Sequence, residues 1–212
     1  MGNVFFGGGK VGMKKPSVSR LPDGYTELTY IESSGTQHID TGFKPNQNTR
    51  VVMNCEVLGF INSKDMFLYG ARVAPGNTGF YCAARADNAS FAIGYANQSA
   101  VSSNLVGIAN HTVDQNKNSY QIDSVSGSFT ASTFQSSYNL HLFACITAGT
   151  VDATQVGKLK VHSCQIYDNG TLIRDFVPCL SDADGVGLYD LVEGKFYGNA
   201  GTGGFIGGEE AA

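Results

Sequence analysis

The stretch Cys164–Cys179 reads CQIYDNGTLIRDFVPC, and it decides the fold class. Runs with alternating apolar residues flank Asn169-Gly170, and both residues of this pair tolerate the positive φ that a two-residue type I′ turn requires. Pro178 has no N–H to donate to a ladder, so it is expected to end the second strand or to mark a sheet edge. The pattern predicts a β-hairpin. Strict alternation predicts the faces of its first strand: Val161, Ser163, Gln165 and Tyr167 on one, His162, Cys164 and Ile166 on the other.

Composition extends this prediction to the whole chain. The 212 residues include 27 Gly and no Trp, and only 15% are charged. Strong helix formers rarely follow one another, whereas short apolar runs separated by turn residues recur from Tyr25 to Tyr197. A chain of this length can form one all-β domain. We therefore expect a single all-β unit with many turns.

The charge is unevenly distributed. The net charge of −4 argues against a nucleic-acid surface. Residues 1–20 hold four basic residues and no acid, which leaves 10 basic against 18 acidic groups in the rest of the chain. This segment is rich in glycine and lacks apolar periodicity, so we predict a flexible basic arm that a partner orders. The residues expected to make its assembly contacts are Phe5, Phe6, Lys10, Lys14 and Lys15.

Two further observations bear on compartment. No apolar run approaches the length of a membrane span, and Val4-Phe5-Phe6 precedes Lys10, which reverses the order of a signal peptide. We therefore expect no membrane partner and no export signal.

The five cysteines lack the C-x-x-C spacing of zinc or redox sites, and most lie in apolar runs. They are predicted to be buried thiols, although a disulfide between some pair stays open.

Residues 21–207 resemble the laminin-G-like jelly rolls of the concanavalin A-like lectin/glucanase superfamily, in a branch common in phage and prophage proteins of gut bacteria. Three motifs carry the resemblance: Leu21–Leu28 with its continuation Tyr30–Gly42, the hairpin above, and Val186–Gly203. The resemblance implies two curved antiparallel sheets packed face to face, in a domain that binds or presents rather than catalyses. It divides the chain into an extended arm (1–20), the jelly roll (21–207) and a frayed tail (208–212).

A glucanase on this scaffold needs two carboxylates beside the scissile bond. Family glucanases carry them in a Glu-x-Asp-x-x-Glu pattern on one strand. The nearest match here is Asp190 with Glu193, but Leu188 stands where the leading Glu belongs, and Glu193-Gly194 is typical of a turn. The four histidines form no recognisable triad with the serines. The sequence therefore predicts no catalytic residue and no enzymatic activity.

A metal site and a ligand site are the remaining candidates. Asp182 and Asp184 lie two residues apart before a glycine, as in oxygen-ligand loops, and some laminin-G-like domains bind calcium at a sheet rim. The alternative is a solvated turn without any cofactor.

Sugar binding requires aromatic faces with amide or charged partners. The residues that offer this mixture are Tyr69, Arg72, Tyr81, Phe91, Tyr95, Asn97 and Gln98, although most of these aromatics could instead belong to the core.

These observations favour a non-enzymatic phage virion protein for adhesion or decoration. Its jelly roll would be exposed for glycan or host-surface binding, and its arm would anchor it to other virion proteins or to sister subunits. Such a protein would be made in the bacterial host cytoplasm and reside in the virion. The alternative is a stand-alone carbohydrate-binding lectin domain, and a glycoside hydrolase is a third reading.

Overall fold

The computed structural model describes residues 19–74, 79–86, 90–102 and 108–211, and no helix occurs among them. No described segment therefore forms a helix able to cross a membrane. The described chain is built from short strands joined by turns. The strands are β1 (Tyr25–Glu27), β2 (Ile31–Ser34), β3 (Ile39–Asp40), β4 (Thr49–Gly59), β5 (Met66–Arg72), β6 (Gly79–Ala84), β7 (Phe91–Ala96), β8 (Gln98–Ser102), β9 (Asn110–Asn116), β10 (Ser119–Ile122), β11 (Val125–Ser128), β12 (His141–Leu142), β13 (Cys145–Thr147), β14 (Thr150–Val151), β15 (Lys158–Asp168), β16 (Thr171–Ser181), β17 (Gly185–Asp190), β18 (Lys195–Tyr197) and β19 (Ile206–Gly207).

These strands form two sheets. The larger has the order β11-β10-β9-β4-β15-β16-β17-β18, with β1 beside β16, β2 beside β15 and β19 beside β2. The smaller has the order β14-β13-β5-β6-β7-β8, with β12 beside β5 and β3 beside β12. The strand pairs are antiparallel apart from β13 with β5. The predicted fold class, an all-β jelly-roll sandwich of two antiparallel sheets, is confirmed.

The core lies between the two sheets because apolar side chains alternate inward along both of them. Met53 and Ile166 of the larger sheet join Leu68, Phe80 and Ile93 of the smaller sheet in one buried cluster. A second cluster lies around Val177, Cys179 and Tyr189, where Leu21 and the half-buried Tyr25 pack on β16 and β17. The chain from Leu21 onward is thus part of the packed domain.

The hairpin predicted at Asn169-Gly170 is present between β15 and β16. The φ angles are 49° at Asn169 and 83° at Gly170, and Asp168 pairs with Thr171 across the turn. Positive φ at both central residues fits the right-handed twist of the flanking strands. The turn thereby fixes the register of the two pairs next to it, and the register of β15 with β16 shifts by one residue beyond them, between Tyr167 and Ile166.

Two details of this hairpin differ from the prediction. The pairing of β15 with β4 shifts between Val161 and Ser163, so His162 is an extra residue in a β-bulge. Val161 and Cys164 are therefore both buried, whereas strict alternation placed them on opposite faces. Pro178 does not end β16, which continues to Ser181. It lies where the neighbour of β16 changes from β15 to β1, so no ladder bond requires its missing N–H.

The two ends of the chain also call for comment. The prediction that residues 208–212 form a frayed tail is wrong for residues 208–211. The N–H of Gly208 donates to the carbonyl of Tyr30 (2.9 Å), and the N–H of Ala211 donates to the carbonyl of Glu27 (2.9 Å). These residues therefore extend the sheet edge beyond β19. At the other end, Arg20 forms an ion pair with Glu27. The predicted arm residues Phe5, Phe6, Lys10, Lys14 and Lys15 lie outside the described residues.

Candidate functional site

A cavity of about 570 Å³ opens beside the turn between β16 and β17. The third motif of the sequence supplies most of its wall, because β17, β18 and the glycine-rich loop after β18 converge there. Four of its lining residues are glycines, which leave main-chain groups accessible where side chains would otherwise cover them. The lining residues are Asp184, Gly185, Val186, Phe196, Gly198, Asn199, Gly203, Gly204 and Phe205.

Phe196 provides an aromatic wall. A Cβ atom at Gly187 would lie 2.5 Å from Cζ of this ring, and one at Gly198 would lie 3.2 Å from its Cε1. A side chain at Gly187 would therefore collide with the ring, and one at Gly198 would be in tight contact with it. Behind it, Tyr25 packs at a centroid distance of 6.0 Å. A half-buried ring held flat in this way can offer one face to an apolar ligand surface.

Asn199 organises the loop on the opposite wall. Its Oδ1 accepts hydrogen bonds from the backbone N–H of His38 (3.1 Å) and of Gly201 (2.8 Å). Its Nδ2 donates to the carbonyl of Gly203 (2.9 Å). Because a primary amide has two N–H groups, one donor of Asn199 remains for another partner.

Asp184 brings a carboxylate to the rim of the cavity. The hydroxyl of Ser181 accepts from the backbone N–H of Ala183 (3.3 Å) and of Asp184 (3.1 Å), and donates to Oδ2 of Asp184 (3.3 Å). The serine thus shapes the turn as a side-chain cap of its backbone. The Asp184 side chain itself is exposed.

Calcium at Asp182 and Asp184 stays a prediction. In the described parts of the chain, no group of three or more His, Cys, Asp or Glu side chains is arranged to hold a metal ion. Calcium takes six to eight oxygen ligands. Two exposed carboxylates, one of which already accepts from Ser181, are by themselves too few, so main-chain oxygens or water would have to complete the site.

The aromatic ligand candidates fall into two groups. Tyr69, Phe91 and Tyr95 are at most 2% exposed and belong to the core between the sheets, so their assignment as ligand contacts is corrected. Two of them find their polar partners internally: Tyr69 donates to Gln115 Oε1 (3.0 Å) and Tyr95 to the carbonyl of Ser132 (2.9 Å). Inner faces of a sandwich need large side chains, and these residues supply them.

Arg72 and Tyr81 lie on the outer face of the smaller sheet. The Arg72 guanidinium is 5.7 Å from the Tyr81 ring centroid and 4.9 Å from that of Phe67, and its Nε donates to Thr147 Oγ1 (2.8 Å). The Tyr81 ring packs against Gly94 and is only 9% exposed. The arginine and its neighbours therefore cover the aromatic faces that a sugar would need.

Asn97 and Gln98 lie at the turn between β7 and β8. Gln98 holds the backbone of Thr130 through two hydrogen bonds, donating to its carbonyl (2.7 Å) and accepting from its N–H (3.0 Å). Asn97 is exposed at the turn. Neither residue contributes to the cavity beside Phe196, so the predicted ligand residues do not converge on one site.

The acidic pair considered for hydrolysis is bound into a structural network. Glu193 Oε1 lies 2.6 Å from Arg174 Nη1, and Tyr197 donates to Glu193 Oε2 (2.6 Å). The bond from Tyr197, followed by the charges of Arg174 and Lys195, lowers the pKa of Glu193 below its ordinary value. A general acid needs the opposite shift.

Sequence comparisons add no assignment. A scan against protein-family models gives no match, and no curated protein is significantly similar to the chain. The geometry of the cavity is therefore the basis for the functional argument that follows.

Proposed function

We propose that the chain is a non-enzymatic adhesion or decoration protein of a phage virion, whose jelly roll binds a glycan in the cavity beside Phe196. The observation that carries the binding role is the aromatic ring held beside one carboxylate and one amide. A sugar has an apolar C–H face that packs on aromatic rings and hydroxyls that bond to such polar groups. The virion context rests on the resemblance of the three motifs to phage proteins.

The polar groups of the cavity suit a neutral sugar. Asp184 accepts from hydroxyls, the free N–H of Asn199 donates to one, and the loop glycines offer main-chain groups at both walls. The cavity of about 570 Å³ fits one or two sugar rings. The expected ligand is therefore a short or terminal segment of a surface polysaccharide.

A glycan array followed by calorimetry tests this proposal. Phe196→Leu keeps an apolar side chain but removes the flat face, and Asp184→Asn removes the charge while keeping the shape. Each is expected to weaken binding of an array-selected glycan about tenfold. Tyr30→Ala is the control, because this half-buried ring packs near Lys160, outside the cavity lining. Unchanged affinity in Phe196→Leu would remove the cavity as the glycan site.

The alternatives make different predictions. A stand-alone lectin would bind the same glycan but would have no use for the N-terminal arm, which the deletion described in the Discussion tests. A glycoside hydrolase would release reducing sugar from a glucan such as laminarin. Turnover that Glu193→Gln abolishes would overturn the non-enzymatic proposal. We expect no turnover, because the network of Arg174, Glu193 and Tyr197 keeps this carboxylate ionised, and an ionised carboxylate has no proton to give to the leaving group as a general acid.

A further inference from the structure

His38 and His141 form a close, tilted pair of imidazoles at the edge of the smaller sheet. Their ring centroids are 5.2 Å apart and their planes are inclined by 33°. His141 pairs with Asp40 in the register of β12 with β3, and His38 lies two residues before Asp40, so all three side chains share one face. His141 is 6% exposed and His38 is half-buried.

This pair is poorly prepared to carry charge. The Nδ1 atom of each ring is buried and has no hydrogen-bond partner within the described residues. Burial lowers the pKa of both imidazoles, and the neighbouring His38 lowers that of His141 further. The charged group that faces them is Asp40, whose Oδ2 lies 3.9 Å from His141 Nε2. Asp40 already accepts from the N–H of Gly42 at Oδ1 (2.9 Å) and from Nδ2 of Asn139 at Oδ2 (3.2 Å), and its charge only partly offsets the effect of burial on the pKa of His141.

The loop Asn199–Gly203, which lines the cavity, is hydrogen-bonded to the backbone of His38. Ala200 N–H donates to the carbonyl of His38 (2.8 Å), and His38 N–H donates to Oδ1 of Asn199 (3.1 Å). A Cβ atom at Gly201 would lie 2.8 Å from Nδ1 of His38, so the loop backbone closes directly over that nitrogen. No partner lies within hydrogen-bond distance of His38 Nδ1 in this closed arrangement among the described residues, so a proton on it would be buried without an acceptor.

We propose that the His38–His141 pair makes the cavity loop acid-sensitive: proton uptake by the pair releases Asn199–Gly203 and thereby weakens ligand binding. The closed loop favours neutral rings, whereas an open loop exposes His38 to water, where it regains its ordinary affinity for protons. Protons thus bind the open form preferentially and shift the equilibrium toward it. The effect on a ligand rests on the glycan binding proposed above, whereas the opening of the loop does not.

The sign and size of the effect follow from linkage. The folded pKa of each imidazole lies below 6.5, its ordinary value, so the closed state is favoured above that pH and loses this advantage as the pH falls through 6.5 and below. At pH 5.5 the opening constant should rise by up to about tenfold if one imidazole takes up a proton on opening, and by up to about a hundredfold if both do.

Amide exchange of the full ligand-free chain, measured by NMR, tests the proposal. The readouts are the amides of Ala200 and Thr202, which donate to the carbonyls of His38 and Thr36. Between pH 7.5 and 5.5 their protection, corrected for intrinsic exchange, should fall, by up to about tenfold if one imidazole takes up a proton and by up to about a hundredfold if both do. The His38→Gln variant should lose this pH response. In the matched control His162→Gln, which alters a histidine of the larger sheet bonded to the carbonyl of Thr29, the response should persist.

Two results would overturn the proposal: protection of the loop amides that does not change with pH in the natural chain, or a full pH response retained in His38→Gln. If His38→Gln does not fold, the measurement on the natural chain decides alone, together with an NMR titration of the ring protons. In that titration both rings of the pair must titrate below 6.5, the ordinary pKa of histidine. A chain that binds no glycan would still give a clear answer, because the measured loop opening needs no ligand.

Discussion

Nε of Arg174 lies 3.6 Å from Oδ2 of Asp190, and the two side chains are only 11% and 0% exposed. The second carboxylate oxygen of Asp190 accepts from the backbone N–H of Asp175 (2.8 Å) and of Val192 (3.0 Å). The carboxylate thus joins β16 to the turn after β17. Asp190 therefore has a structural role, and the ion pair of Arg174 with Glu193 continues the same network.

Removing Asp190 should destabilise the domain strongly. Its loss leaves the backbone N–H groups of Asp175 and Val192 without their acceptor, which costs roughly 2–5 kcal/mol for the two groups together, whereas Arg174 keeps its ion pair with Glu193. We expect Asp190→Ala to lower the free energy of unfolding by this amount in urea denaturation. Asp182→Ala, which removes an exposed carboxylate from a neighbouring turn, is the control and should change it by less than about 0.5 kcal/mol. An equal decrease in the free energy of unfolding in the two variants would contradict the structural role of Asp190.

Gly170 provides a test of the hairpin. Its φ is 83°, and a Cβ atom built on it meets nothing within 4 Å, so the cost of a side chain there comes from the backbone alone. Gly170→Ala should destabilise the domain by about 1 kcal/mol in thermal or urea unfolding. Gly204→Ala is the matched control, since its Cβ also meets nothing within 4 Å and its φ is not positive. An unchanged free energy of unfolding in Gly170→Ala would argue against the positive φ at this turn position.

The hairpin was predictable because turn chemistry is local: Asn169-Gly170 needs no information from the rest of the chain. The bulge at His162 was not, because it depends on how β15 pairs with β4, and pairing across a sheet leaves no mark in the alternation of one strand. The same holds for Pro178, which is tolerated only because the neighbouring strand changes beside it.

The candidate site was only partly predictable. Aromatic residues in strands look alike in sequence whether they face the core, as Tyr69 does, or the surface. The spacing of Asp182 and Asp184 predicts a calcium site and not a glycan contact, and the predicted ligand residues do not include Phe196, which lines the cavity. The signal for Phe196 was the pair of glycines that leaves room for its ring, Gly187 and Gly198. Because these glycines act across two strands, their meaning emerges only once β17 and β18 are paired.

The cysteines should be inert in the folded protein. All five are buried free thiols, and burial raises the pKa of Cys55, like that of Cys179, to about 12. With a disulfide-exchange reagent at pH 8, the native chain should show almost no reaction, and the chain unfolded in guanidinium should show five thiols. The raised pKa values also have a pH consequence: their contribution to stability is complete below the ordinary value of 9.0 and is lost as the pH rises through about 12. Rapid reaction of the native protein would contradict this burial.

Calcium binding at Asp182 and Asp184 has a simple thermal test. An ion that binds only the native state raises the melting temperature in proportion to the logarithm of its excess over the dissociation constant. If the site exists, the melting temperature should rise by several degrees in millimolar calcium relative to EDTA, and Asp184→Asn should abolish the rise. Magnesium at the same concentration controls for ionic strength. No shift with calcium would remove the site.

Deletion of residues 1–18 tests the anchoring role that separates a virion protein from a stand-alone lectin. The cut leaves Arg20 and its ion pair with Glu27 intact, and it leaves Leu21 packed with Val177 and Tyr189, so the jelly roll should fold with an unchanged melting temperature. It removes Phe5 and Phe6, which we expect to fill apolar pockets on a partner, together with three lysines that complement acidic surface. Because the sequence predicts a flexible arm, we expect its ordering to cost roughly 1–2 kcal/mol of backbone entropy per residue, a cost that contacts with a partner would have to offset.

The deleted chain should therefore keep its glycan affinity but lose incorporation into particles, or self-association if the partner is a sister subunit. Lys14→Glu with Lys15→Glu in the full chain gives the matched comparison, because it reverses charge without shortening the arm. These two substitutions should weaken assembly in a salt-dependent way, and Phe5→Ala with Phe6→Ala should weaken it independently of salt. If the deleted chain assembles as well as the full chain, the arm has no anchoring role and the stand-alone lectin becomes the better account.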